Sequence, residues 1–272
     1  MVREALSRDA RFELAEAPLA SPAEVALAHD PGYVRAVLSG SVEARIMRRI
    51  GFPWSEQLTL RSLASVGGTV AAARCALECG IGGNLAGGTH HAFYSEGAGF
   101  CVFNDLAVTI HVLRREGRAA RFAVVDLDVH QGDGTASIFA NNPDVLTLSI
   151  HGANNFPFRK QASAIDIGMP DDADDGRYLD ALQEVLPAVW DFRPDLLLYQ
   201  SGVDALREDR LGRLAMTRSG LMERDRMVLE GAKRRGIALA ITLGGGYAQP
   251  ALLTVEAHAN TFRAAAALWH GG

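Results

Sequence analysis

The amino-acid sequence predicts a three-layer α/β/α fold with a mostly parallel central sheet, laid out as a single domain over residues 1–272. Two observations carry the prediction. Strand-length apolar runs alternate with helix-length segments almost to the end of the chain, the pattern of a parallel sheet whose crossovers are helices. Several of the runs are apolar on both faces, as strands covered by helices on each side must be. No repeat, low-complexity tract or linker cuts the chain in two.

Ser21-Pro22-Ala23-Glu24 opens a helix, with Ser as N-cap, Pro at the first position and Glu three after the cap. Residues 55–79 read as a long helix interrupted by Gly67-Gly68, a pair that marks either close packing or a bend. Helical periodicity returns over 103–116, 177–190, 217–234 and 251–268. Between these helices lie the strand-like runs Ile81–Ala86, Phe122–Leu127, Val145–Ile150, Asp195–Gln200 and Ile237–Leu243. The acidic run Asp171-Asp172-Ala173-Asp174-Asp175 sits just before a helix, where acids offset the positive end of the dipole and stay solvated.

Composition narrows the function. A net charge of −5 with no basic stripe argues against a nucleic-acid partner. No apolar segment reaches the length of a membrane span, and MVREALSRDARFELAEA lacks the apolar core of a signal peptide. A cytoplasmic protein is expected. The three cysteines, with Cys75 and Cys79 four apart in a helical pattern and no further ligands nearby, read as small reduced core residues rather than a metal site or disulfide framework.

In a parallel sheet, ligands bind beyond the carboxyl ends of the strands. Four of the runs end in clusters of reactive groups: Gly87-Gly88-Thr89-His90-His91, the stretch Asp126 to Gly134, Ser201-Gly202-Val203-Asp204, and Gly244-Gly245-Gly246-Tyr247. Asp128 and His130 stand two apart in an extended segment and point the same way. With Asp204 from another strand end they match the ligand set of a catalytic zinc site. Alone, such a pair would cap a turn; the convergence of four clusters argues for an active site. Each imidazole of His90-His91 needs a partner, and Asp126 and Asp133 are spare acids able to fix the tautomers. Histidines so tuned can deprotonate a water and protonate a leaving amine. The glycines allow close backbone approach, and the Tyr247 hydroxyl can hold a developing oxyanion. The glycine run lacks the spacing and lysine of a phosphate loop.

These residues resemble a known family. GGTHHAFYSEGAGFCVFNDLAV, DLDVHQGDGT, SGVDALREDRLG and LGGGY are similar, in order, to the motifs of the zinc-dependent histone deacetylases, from about His29-Asp30-Pro31-Gly32-Tyr33 nearly to the C-terminus. The passage DRLGRLAMTRSGLMERDRMVL is most similar to the class IV branch and its bacterial relatives. The resemblance implies the arginase–deacetylase fold, one catalytic Zn²⁺ held by Asp128, His130 and Asp204, and hydrolysis of an acylated amine such as Nε-acyl-lysine. It further implies His91 as principal general base and acid, Asp126 and Asp133 as partners of His90 and His91, and Tyr247 as polariser of the substrate carbonyl. Gly99, Phe100 and Phe158 match the walls of a tunnel for the lysine stem, with Leu211, Gly245 and Gly246 beside it. A structural K⁺ would use Asp126, Asp128, His130, Ser149 and Ile150, and a second would fall near Phe139, Asn142 and Val145.

The chain departs from the family pattern in three places. The family's first strand is expected to be missing before residue 20, through a trimmed or mis-assigned start. Around Gly51 to Leu58 the one acid available to grip a substrate backbone is Glu56. Leu211 stands where polyamine deacetylases carry a glutamate gatekeeper, which disfavours polyamines and suits a neutral-tailed substrate. Two other readings compete: a binuclear manganese ureohydrolase, for which GVDALR supplies too few acids, and a non-catalytic acyl-lysine binder, which would not need Tyr247 and both histidines.

Overall fold

Alternation of apolar residues into two separate cores organises the molecule, described for residues 1–270 by a computed structural model. Helices α1 (Val2–Leu6), α2 (Pro22–Val25), α3 (Pro31–Ser39), α4 (Ala44–Ile50) and α5 (Glu56–Cys79) precede strand β1 (Ile81–Asn84). There follow α6 (Asp105–Arg115), β2 (Phe122–Asp126), α7 (Asp133–Phe139), β3 (Val145–Gly152) and β4 (Ile165–Met169). The chain closes with α8 (Asp175–Phe192), β5 (Leu196–Gln200), α9 (Arg218–Arg234), β6 (Ala238–Thr242) and α10 (Ala251–His270).

The six strands form one parallel sheet in the order β1-β6-β5-β2-β3-β4. Within β2, Phe122 and Val124 join the core under α3, α5 and α6, while Ala123 and Val125 join the core under α8, α9 and α10. The same split divides Leu196 and Leu198 from Leu197 and Tyr199 in β5. A strand buried on both faces can be apolar at every position, which is why these runs were legible as parallel strands.

Gly67-Gly68 marks close packing, because α5 runs unbroken through it. A Cβ on Gly67 would meet the backbone of Pro18 and Ala20, and one on Gly68 the side chain of Asn84 at 2.8 Å. Ser55 caps the start of α5 through Leu58 N, and Gly80 ends it in the left-handed conformation. Ser21 and Glu24 form the expected capping box. The acidic run acts as anticipated at a helix start: Asp174 accepts from Arg177 N to cap α8, Asp171 pairs with Arg213, and Asp175 accepts from Thr217.

Several expectations need correction. Strand β4 was not anticipated, since it is an edge strand whose residues alternate in exposure and include Asp166 and Gly168. Its signal is too polar and short to separate from a loop. Strand β1 stops at Asn84 rather than Ala86. Short helices α1, α3, α4 and α7 were not recognised either; residues 1–20 contain α1, whose Leu6 is fully buried in the core, and no strand. Cys75 and Cys79 are exposed on α5, and only Cys101 is buried; all three thiols are free.

His29 ties the N-terminal layer to the site. It accepts from Asn104 N through Nε2 at 2.8 Å, so its Nδ1 carries the proton facing Tyr94 O at 3.2 Å. Asn104 caps α6 through Ala107 N and also donates to Ala92 O and Thr135 Oγ1, bracing the loop that carries His90 and His91. Burial depresses the pKa of His29 to about 4, against an ordinary value of 6.5. His151 and His258 are likewise pushed to about 4 by burial. A histidine with a lowered folded pKa binds fewer protons folded than unfolded, so its stability contribution is complete above pH ~6.5 and fades as pH falls toward ~4. The urea midpoint should therefore drop between pH 6.5 and 4, each such histidine contributing a slope of up to ~1.4 kcal/mol per pH unit. A His29→Gln variant should show a shallower dependence in that window; an identical slope would contradict this account of His29.

Candidate active site

The four strands that end in reactive clusters are neighbours, β1-β6-β5-β2, so all four clusters open onto one end of the sheet. Beyond β1, the turn at Gly88 and Thr89 is fastened by the fully buried Asp105, whose carboxylate accepts from Gly88 N, Thr89 N, Thr89 Oγ1 and Thr69 Oγ1 at 2.6–3.0 Å. A carboxylate so satisfied serves as a rigid strut that fixes where the tandem histidines start.

Beyond β2 and β5, Asp128, His130 and Asp204 bring one ligand atom each to within 4.8 Å of one another. His130 Nδ1 lies 3.0 Å from Asp128 Oδ1 and 3.1 Å from Asp204 Oδ2. The remaining carboxylate oxygens take backbone donors: Asp128 Oδ2 accepts from Gly245 N at 2.6 Å, and Asp204 Oδ1 accepts from Val129 N at 2.9 Å. Gly245 must be glycine, because a Cβ there would fall on the Asp204 carboxylate. Burial, and then the charge of Asp128, push the Asp204 carboxyl upward to about 7. His130 is raised to about 10, the two carboxylates outweighing the burial that opposes its charge. Two buried acids competing for a single cationic centre are the environment a divalent metal stabilises. The donor set therefore fits a metal ion.

The tandem histidine rings lie with centroids 4.0 Å apart and planes tilted by 51°, yet are tuned in opposite directions. His90 Nδ1 sits 2.7 Å from Asp126 Oδ2, and the side-chain amide of Gln200 lies 2.8 Å from the same nitrogen. Burial works against its charge, but Asp126, then Asp128 and Asp133, raise it to about 9. His91 Nδ1 sits 2.7 Å from Asp133 Oδ1, but burial and the neighbouring charge of His90 hold it down at about 4. The surrounding groups thus favour the charged form of His90 and the neutral form of His91.

The mouth of the site is aromatic. Phe156 packs edge-on against His91, with centroids 4.9 Å apart, and Phe100 lies 6.3 Å from Tyr247. Gly99, at φ 52°, runs between His91 and Phe156, where a Cβ would meet both rings. Phe158, expected in the tunnel wall, is 89% exposed and stands outside Phe156; the ring against the histidine is Phe156. Leu211 is half-exposed, and its carbonyl accepts from Asn155 Nδ2 at 2.7 Å. A Cβ on Gly246 would meet Val203, Thr254 and His258. Glu56 is in the first turn of α5. Burial, followed by the charges of Asp128 and Asp204, raises the Tyr247 hydroxyl well above its ordinary value, so it remains a proton donor.

Of the residues expected at potassium sites, Ser149 pairs with Asp126 in the β2–β3 register, and its hydroxyl meets His151 Nδ1 at 3.0 Å. Ile150 follows it on β3. Phe139, Asn142 and Val145 come together in the α7–β3 turn, where the Phe139 and Asn142 carbonyls accept from Asn142 N and Val145 N. The sequence reading missed several supports: Asn104, Asp105, Gln200, Phe156 and Asp209. Asp209 accepts from Tyr247 N at 2.6 Å and from Leu211 N and Gly212 N at 2.8 and 2.9 Å, so it fixes the tyrosine loop. Its position inside DRLG, next to the rim leucine, was the available signal.

Comparison with known proteins agrees with this geometry. The histone deacetylase domain model matches residues 1–262. An uncharacterized protein of the cyanobacterium Picosynechococcus is 46% identical over 88% of this chain and 80% of its own. Histone deacetylase 2 of Arabidopsis thaliana is 30% identical over 84% of this chain, and the acetoin utilization protein AcuC of Bacillus subtilis 32% over 73%. The chain spans 62% and 57% of those two proteins. A crystal structure of a histone deacetylase homolog complexed with SAHA superposes with a TM-score of 0.82 at 28% identity, covering 99% of this chain and 76% of that one. With the domain matched almost end to end and the same α/β architecture, the chain belongs to the histone deacetylase family of hydrolases.

Proposed function

We propose that the protein is a zinc-dependent amidohydrolase that removes an acyl group from Nε-acyl-lysine or a closely related amine. The observation that carries this is the meeting, at four adjacent strand ends, of a buried Asp–His–Asp ligand set with two carboxylate-backed histidines and a tyrosine. Asp128, His130 and Asp204 would hold the ion, which when bound would supply Lewis acidity toward the acyl carbonyl and the attacking water. His91, neutral and oriented through Nδ1 by Asp133, accepts the proton of that water at Nε2 and returns it to the leaving amine. Beside it, His90 is held toward its charged form by Asp126. Tyr247 donates its hydroxyl proton in a hydrogen bond to the oxygen that gains charge. Phe100 and Phe156 suit the apolar stem of an uncharged acyl-lysine, and Leu211 at the rim adds no carboxylate for a second amine.

The one ligand cluster found among the described residues has three members, enough for a single ion, which favours this reading over a two-ion ureohydrolase. Among these residues no helix is long and apolar enough to cross a membrane.

A panel of acyl-lysine peptides from acetyl to myristoyl, assayed with zinc present, should reveal turnover of at least one member; complete inactivity across the panel would defeat the proposal. Tyr247→Phe should lower kcat by a factor of roughly 10²–10³ with little change in KM, and undiminished activity would remove the tyrosine from the mechanism. Asp209→Ala, which frees the Tyr247 loop without touching the ligands, should cost kcat roughly tenfold or more and leave zinc content at one per chain. Adding zinc to chelator-stripped protein should raise stability by ~2.7 kcal/mol at a hundredfold excess over Kd, and an Asp204→Asn variant should lose most of that gain in a thermal melt.

A further inference from the structure

Arg224 is the largest side chain that the fold buries completely, and the proposed chemistry gives it no part. It projects from α9 beneath the carboxyl ends of β2 and β5. Its Nε and Nη2 donate to Asp225 Oδ1 at 2.9 and 2.8 Å. Nη1 donates to the Leu127 and Gly202 carbonyls at 3.2 and 2.6 Å, and Nη2 reaches the Ser201 carbonyl at 3.5 Å. Asp225 in turn accepts from Tyr199 Oη at 2.5 Å and Thr261 Oγ1 at 2.6 Å, so the buried pair is neutral and hydrogen-bonded throughout.

The carbonyls reached by the guanidinium belong to two different turns. Leu127 directly precedes Asp128, and Gly202 stands two residues before Asp204. A buried ion pair by itself says little about stability or function. Strand pairing reaches this point, with Leu127 N donating to the Gln200 carbonyl at 3.1 Å, and the cation adds a side-chain link between the two turns beyond it, through a planar fork whose geometry an ammonium cannot reproduce.

We propose that Arg224 is a positioning residue for the metal centre: an internal cation that clamps together the turns carrying Asp128 and Asp204, holding the ligands at coordinating spacing before a metal arrives. This rests on the reading of Asp128, His130 and Asp204 as metal ligands. Orientation of ligands by groups behind them is commonly reflected in metal affinity, and losing such a group costs roughly 10–100-fold.

The test compares Arg224→Met, Arg224→Lys and the neutral double variant Arg224→Met with Asp225→Asn, which leaves no unpaired buried charge if the single variant fails to fold. Zinc affinity measured by chelator competition should fall about 10–100-fold in the Met variants, with partial recovery in the Lys variant. The visible spectrum of the cobalt-substituted protein should shift with it. A folded double variant whose zinc affinity stays within about twofold of the parent, with an unchanged cobalt spectrum, would overturn the proposal. The unmodified protein gives an independent reading. Amides of residues 127–130 and 201–204 should exchange at similar rates with and without metal, and more than about tenfold faster exchange in the stripped protein would show that the metal, not Arg224, organises the turns. Because these measurements read metal binding and local order rather than turnover, an inactive acyl-lysine panel would defeat the functional reading while leaving the result for Arg224 standing.

Discussion

Two buried carboxylates placed beside one imidazole set the terms for the rest of the molecule. Asp128 and Asp204 are almost wholly out of water, and each brings an oxygen to His130 Nδ1 at about 3 Å. Like charges in such a place repel and lose hydration, so they persist only where donors and a cation compensate them. The donors are backbone N–H groups of Val129 and Gly245, each delivered by a different strand end. The glycine turn after β6 therefore supplies a hydrogen bond to the ligand set as well as leading to Tyr247, and its side-chain-free backbone is what allows the approach.

Opposite tuning of the two histidines follows from the same crowding. Both are buried and both have a carboxylate 2.7 Å away. His90 lies near more negative charge and keeps its proton, and that charge then disfavours a second one on His91. Adjacent rings with a carboxylate each are thus tuned apart by what else surrounds them, since Gln200 and Asp128 also stand against His90.

Support for these groups extends well past the motifs. Asp105 braces the turn before the histidines, Asn104 links it to His29, Asp209 fixes the tyrosine loop, and Arg224 joins the two ligand turns. All four act mainly on backbone N–H or carbonyl groups, so their effect is on chain geometry rather than on a reacting atom. Side chains of this kind are hard to find by residue type, since a buried Asp or Arg in a sequence looks the same as a solvated one.

The sequence by itself determined the parallel α/β class, because strands buried on both faces must be apolar at every position and β2 and β5 are. It also determined the chemical groups at four strand ends and the family they resemble, since reactive residue types after apolar runs have few other uses; which acid stands behind which histidine was implied by that resemblance. Only the tertiary structure decided that β1, β6, β5 and β2 lie side by side, which turns clusters up to about 160 residues apart into one site. Strand order is set by packing and crossover handedness, and neither is written in a local pattern. The structure also decided that Phe156 rather than Phe158 meets His91, because two aromatics flanking one proline are equivalent until the backbone turns one inward and leaves the other in water.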